Sequence, residues 1–91
     1  MERNFIITAE YGLHARPATK MVNKAMMFDA DLLLKAKGQV VNLKSVMGVM
    51  SLGIYKGENI SIIANGTDEI EALDEMTAYL TTEGIGKVSH E

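Results

Sequence analysis

The joint Lys37-Gly38 constrains this chain more than any other pair of residues. It links two strand-like runs, residues 31–36 with Leu32, Leu33 and Leu34, and residues 39–43 with Val40, Val41 and Leu43. A two-residue connection ending in glycine reads as a hairpin turn, which makes the two runs antiparallel neighbours. Parallel neighbours would need a crossover of roughly a dozen residues or more. A purely parallel sheet is therefore excluded.

The segments around this hairpin switch period cleanly. Residues 4–9 alternate, with Phe5, Ile7 and Ala9 on one side and Asn4, Ile6 and Thr8 on the other, and predict a strand. Residues 10–14 form a loop in which Gly12 permits an unusual backbone angle. Residues 15–27 have helical period: Ala18, Met21, Val22, Ala25 and Met26 form the apolar face, opposite Arg16, Lys20, Asn23 and Lys24. The only proline, Pro17, falls in the first turn, where a missing N–H costs nothing. A short helix is expected over 46–52 with Ser45 as its N-cap. After a turn at Lys56-Gly57-Glu58, residues 59–65 give a strand with Ile60, Ile62 and Ala64 on one face.

Asp68, with Glu71 three residues on, predicts a capped last helix with the buried stripe Ile70, Leu73, Met76, Thr77 and Leu80. Gly84 and Gly86 end that helix, and residues 87–91 are expected to fray. The order is strand, helix, strand, strand, helix, strand, helix. With no linker or repeat in 91 residues, it predicts one domain over 1–91, a sheet with helices packed on one face.

Composition removes several classes of function. The chain has no cysteine, which excludes disulfides, thiolate catalysis and cysteine-ligated metal. Its two histidines, His14 and His90, are far apart, so no metal site is expected, and His90 is assigned no role. Nine Lys and Arg against twelve Asp and Glu give a net charge of −3. That balance argues against direct nucleic-acid binding. No apolar run approaches the roughly 20 residues of a membrane span, and the N-terminus has no secretory pattern, so no membrane insertion and a cytoplasmic location are expected.

Four features carry chemistry. His14 stands just before a helix start, within Gly12-Leu13-His14-Ala15-Arg16-Pro17-Ala18-Thr19. A lone histidine is ordinarily a solvated loop residue. Here, the positive end of the helix dipole and Arg16 both disfavour imidazolium, and a neutral ring nitrogen is a nucleophile. The same field would stabilise a phosphoryl group on that nitrogen. Arg16 is ordinarily a surface cation, but in a first turn its sign opposes the dipole, which points to an anion at this end. Ser45 needs no function beyond capping, although a helix N-terminus also accepts a phosphoserine. Val49 and Leu52 can bury one face of the short helix. Val46, Met47 and Met50 are then either further core or an adaptable apolar docking patch.

The run Gly12 to Thr19, followed by Val41-Asn42-Leu43-Lys44-Ser45-Val46-Met47-Gly48-Val49-Met50-Ser51-Leu52-Gly53, resembles the HPr family. These are histidine-containing phosphocarriers of the bacterial sugar phosphotransferase system. The resemblance covers about residues 1 to 86, and the second motif is similar to the Gram-positive branch. It implies an α+β open-faced sandwich, a four-stranded antiparallel sheet with three helices on one face in the order βαββαβα. It implies that His14 is phosphorylated on Nδ1 by enzyme I and passes the group to IIA units of sugar permeases, with Arg16 assisting. It implies that Ser45 is modified by HPr kinase/phosphorylase, and that the phosphoserine form works with catabolite control protein A. Val46, Met47 and Met50 would match the apolar surface that partners use.

No cofactor is implied, and a monomer is expected. Tyr11, Met26, Met27 and Tyr55 depart from the family pattern, Tyr11 replacing a small polar residue beside the histidine. The alternative is a regulatory module acting mainly through phosphorylated Ser45, like relatives that keep the serine and lose the histidine. A small hydrolase using His14 lacks an evident acid–base partner in the motif.

Overall fold

The computed structural model describes residues 1–90. Its elements are β1 (Glu2–Ile7), α1 (Ala15–Ala25), β2 (Asp31–Ala36), β3 (Gln39–Asn42), α2 (Val46–Ser51), β4 (Asn59–Asn65), α3 (Glu69–Thr82) and β5 (Gly86–Val88). The strands form one open sheet in the order β3-β2-β4-β1-β5, and every neighbouring pair is antiparallel. The fold is α+β with three helices, as expected, but the sheet has five strands rather than four.

The Lys37-Gly38 hairpin forms as the sequence requires. Both residues have positive φ, 56° and 74°, the combination that suits the twist of a two-residue hairpin. Gly38 adopts this conformation freely, whereas Lys37 is held in it. Its Nζ donates to the Gly53 carbonyl at 2.6 Å and pairs with Glu58 at 3.3 Å, tying the hairpin tip to the segment that follows α2.

The core lies between the sheet and its helices. Phe5, Ile7, Leu32, Leu34, Ile60, Ile62 and Ala64 point from alternate strand positions into one cluster with Met21 and Val22 of α1, Val49 of α2, and Leu73, Met76 and Leu80 of α3. Each fully buried large side chain contributes about 1.5–3 kcal/mol relative to exposure. Register follows this pattern: Phe5 pairs with Ile60 and Leu34 with Ile62, so both pairs share the covered face.

Several boundaries and roles differ from expectation. The first strand begins at Glu2, because residues 2–6 pair with β4, and it ends at Ile7. Beyond it, Thr8 and Ala9 donate their N–H groups to the Ile85 carbonyl. The first helix stops at Ala25, leaving Met26 and Met27 exposed at 64% and 79%, so Met26 lies off the buried stripe. The third strand and second helix end one residue early, at Asn42 and Ser51.

Residues 87 and 88 do not fray. They belong to β5, where Val88 pairs with Phe5, and Ser89 donates to the Asn4 carbonyl at 2.8 Å. The expectation for Glu91 lies outside the described residues.

The start of α3 differs in kind. Asp68 occupies the N-cap position, but its side chain does not cap its own helix. Its carboxylate instead accepts from the backbone N–H groups of Asp29 and Ala30, at 2.9 and 2.8 Å. Those hydrogen bonds hold it below its ordinary value of 3.8, with Lys44 acting in the same direction and burial opposing. The carboxylate is thus a tether between α3 and the entry to β2. Ile70 is 53% exposed, while Ala72 and Tyr79 join Leu73, Met76 and Leu80 on the buried face. The stripe is turned from its predicted phase because Tyr79, with Leu80, faces the core.

Candidate functional site

The loop carrying His14 is fixed mainly through its backbone. Gly12 donates to the Ala9 carbonyl at 3.0 Å, and Leu13 donates to the Ile54 carbonyl at 3.0 Å. Gly12 has φ +65°, and a Cβ there would collide with the Ile54 carbonyl and the Tyr55 Cα. Only glycine lets the loop lie this close to residues 54 and 55. Leu13 is buried and plugs the loop into the core.

His14 is the N-cap of α1, with φ −76° and ψ −175°. Its carbonyl accepts from Ala18 at 3.1 Å, but its imidazole makes no capping bond. The ring is exposed and uncommitted to the helix. Helix geometry leaves the N–H groups of Ala15 and Arg16 without intrahelical acceptors, and Pro17 has no N–H to satisfy.

Two hollows meet at the ring. One is lined by His14, Arg16, Pro17, Lys20, Tyr79, Glu83 and Ile85. The other is lined by Tyr11, Leu13, His14, Met50, Gly53, Ile54 and Tyr55. The first is mainly charged and the second apolar and aromatic. The structure thus brings Arg16 beside His14, and Met50 beside it from the other side.

Tyr79 and Glu83 were not legible as part of this site, because α3 is remote in sequence. The tyrosine is mostly buried, and burial pushes its phenol above the ordinary value of 10.0. Glu83 adds to that rise, while Lys24 and Arg16 oppose it. Tyr11 is 76% exposed, and its ring stands perpendicular to the imidazole, 6.3 Å between centroids and 88° between planes. Tyr55 lies under Lys37, whose Nζ is 5.2 Å from the ring centroid.

Ser45 is not part of either hollow. It caps α2 as predicted, its Oγ accepting from the Gly48 N–H at 3.1 Å. Val46, Met47 and Met50 are 36%, 84% and 39% exposed, while Val49 and Leu52 are buried. These three side chains are therefore not further core. Among the described residues there is no cluster of three or more potential metal ligands, and no helix is long and apolar enough to cross a membrane.

The fold is thus a small open-faced sandwich that exposes a histidine at a helix start, between two hollows. The model of the phosphorylation site of the HPr component of the phosphotransferase system matches residues 1–82. The chain belongs to the HPr family of phosphocarriers.

Solved structures agree. The histidine-containing phosphocarrier protein of a Mycoplasma is 33% identical, with a TM-score of 0.90 over 93% of this chain and 97% of that one. HPr from Bacillus anthracis is 40% identical, with a TM-score of 0.82 over 87% and 94%. The Bacillus subtilis catabolite repression protein Crh is 43% identical, with a TM-score of 0.72 over 85% and 88%, and its crystal structure is a dimer with a swapping domain.

Proposed function

We propose that the protein relays a phosphoryl group on His14, taking it from enzyme I and giving it to IIA units of sugar permeases. The observation that carries this reading is the imidazole itself: exposed, free of capping duty, and beside Arg16 at the start of α1. In the first transfer a neutral His14 ring nitrogen, Nδ1 by family resemblance, attacks the phosphorus carried by enzyme I; in the second, a histidine nitrogen of the IIA unit attacks the phosphorus carried on His14. The bond from phosphorus to the donor imidazole breaks, and its electron pair returns to that imidazole. Such a transfer is governed by positioning and charge stabilisation. Arg16 and the free N–H groups of the first turn supply the charge stabilisation. Exposure of His14 lets two partner active sites reach it in turn.

Ser45 is the regulatory site in this reading, modified by HPr kinase/phosphorylase with ATP. Its position at the start of α2 accepts added negative charge without unfolding the helix. The phosphoserine form then reduces charging by enzyme I and acts with catabolite control protein A. Val46, Met47 and Met50 form the apolar surface beside which these partners dock. The protein acts in the cytoplasm as a monomer over a single domain of residues 1–91.

A second reading, a regulatory module working through phosphorylated Ser45, draws support from the 43% identity to Crh. His14 favours the carrier. The test uses labelled phosphoenolpyruvate and enzyme I. Acid-labile, alkali-stable label is expected on the wild-type chain and absent from His14→Ala, and label persisting in that variant overturns the assignment. With kinase and ATP, acid-stable label is expected on Ser45 and lost in Ser45→Ala.

A further inference from the structure

We infer that Tyr11 is a positioning residue for His14, holding the exposed imidazole in one orientation by an edge-to-face contact. This rests on His14 being the phosphoryl-carrying residue. The contact itself is geometric: ring centroids 6.3 Å apart and planes at 88°, within the range where perpendicular aromatic pairs attract.

Three features make this contact a directed one. The backbone beneath it is rigid, because Gly12 and Leu13, which join the two rings, are pinned against Ile54. Tyr11 is 76% exposed, so its ring contributes little to the core. Among the described residues its hydroxyl makes no hydrogen bond, so the aromatic ring, not the oxygen, is what meets the histidine.

The imidazole needs such a guide. Its side chain makes no capping bond, and an exposed histidine otherwise samples three χ1 wells and two broad χ2 orientations. Tyr11 closes one side of the ring, on the side of Met50 and Tyr55. Held there, the ring also borders the hollow that contains Arg16. Removing the guide spreads the ring over the other wells and lowers the reactive fraction about three- to sixfold.

The test compares Tyr11→Ala and Tyr11→Phe with the wild type, all first shown to accept acid-labile label from enzyme I and phosphoenolpyruvate. In Tyr11→Ala, kcat for transfer from enzyme I is expected to fall about three- to sixfold with KM unchanged. The ring-proton NMR signals of His14 should shift as the neighbouring ring current is lost. Tyr11→Phe should preserve both. An unchanged kcat in Tyr11→Ala overturns the proposal. A rise in KM alone makes Tyr11 a docking residue and overturns it as well. Loss in both variants assigns the effect to the hydroxyl, with the same consequence. If the wild type takes no label, it is the carrier reading that fails.

Discussion

Replacing Gly12 by alanine tests whether the active loop is held by backbone geometry. At φ +65° an L-residue costs roughly 1–2 kcal/mol more than glycine. The new Cβ would also strike the Ile54 carbonyl and lie 2.7 Å from the Tyr55 Cα. Neither is the flexible end of a side chain, so the two segments must separate. That separation breaks the 3.0 Å bond from Leu13 N–H to Ile54, worth about 1 kcal/mol. The expected loss is about 2–3 kcal/mol in all. Gly38→Ala is the matched control: its φ is +74°, but nothing lies within 4 Å of its added Cβ, so only the backbone cost applies. Thermal unfolding of a domain this size moves about 4–8 °C per kcal/mol, so the two variants should differ by at least about 4 °C. The His14 ring signals should move in Gly12→Ala and stay put in Gly38→Ala. Equal midpoints in the two variants would refute the claim that close approach, rather than positive φ alone, requires glycine at position 12.

Three further outcomes follow from the packing. The Asp68 carboxylate is held below 3.8, so its stabilising contribution is complete above that value and is lost as pH falls through the folded value; urea unfolding of Asp68→Asn should show a shallower acid limb than the wild type. The Tyr79 phenol is held above 10.0, so the folded state loses stability as pH climbs from 10.0 towards the folded value; Tyr79→Phe should remove that slope, read from urea unfolding at alkaline pH. Leu73→Ala should cost about 2–5 kcal/mol, and Ile70→Ala within about 0.5–1 kcal/mol, because Leu73 is fully buried and Ile70 is half exposed. Comparable losses in denaturant melts would restore Ile70 to the buried stripe.

What was legible in the sequence was whatever depends on near neighbours. The Lys37-Gly38 hairpin, the Ser45 cap and the apolar stripe of α1 from Ala18 to Ala25 are each set within a few residues, and each formed as read. What escaped depends on distant partners. Asp68 has the local signature of a cap, yet the N–H groups of Asp29 and Ala30 capture its carboxylate. Residues 87 and 88 look like part of a fraying end, but the free edge of β1 recruits them into a strand. At the site, the run from Gly12 to Thr19 located His14 and Arg16. That Tyr79 and Glu83 complete the hollow beside them depends on how α3 crosses α1, which no local pattern records.

The Leu13–Ile54 hydrogen bond has a consequence for biogenesis. His14 is made before Ile54, whose carbonyl anchors its loop. The strand before the loop likewise waits for β4 and β5, its partners on either side. Pairings of such long range form late and together. An emerging chain therefore displays the motif long before it displays the geometry. The anchored geometry around His14 arrives only after Ile54, β4 and β5 have been made and have paired with the earlier segments.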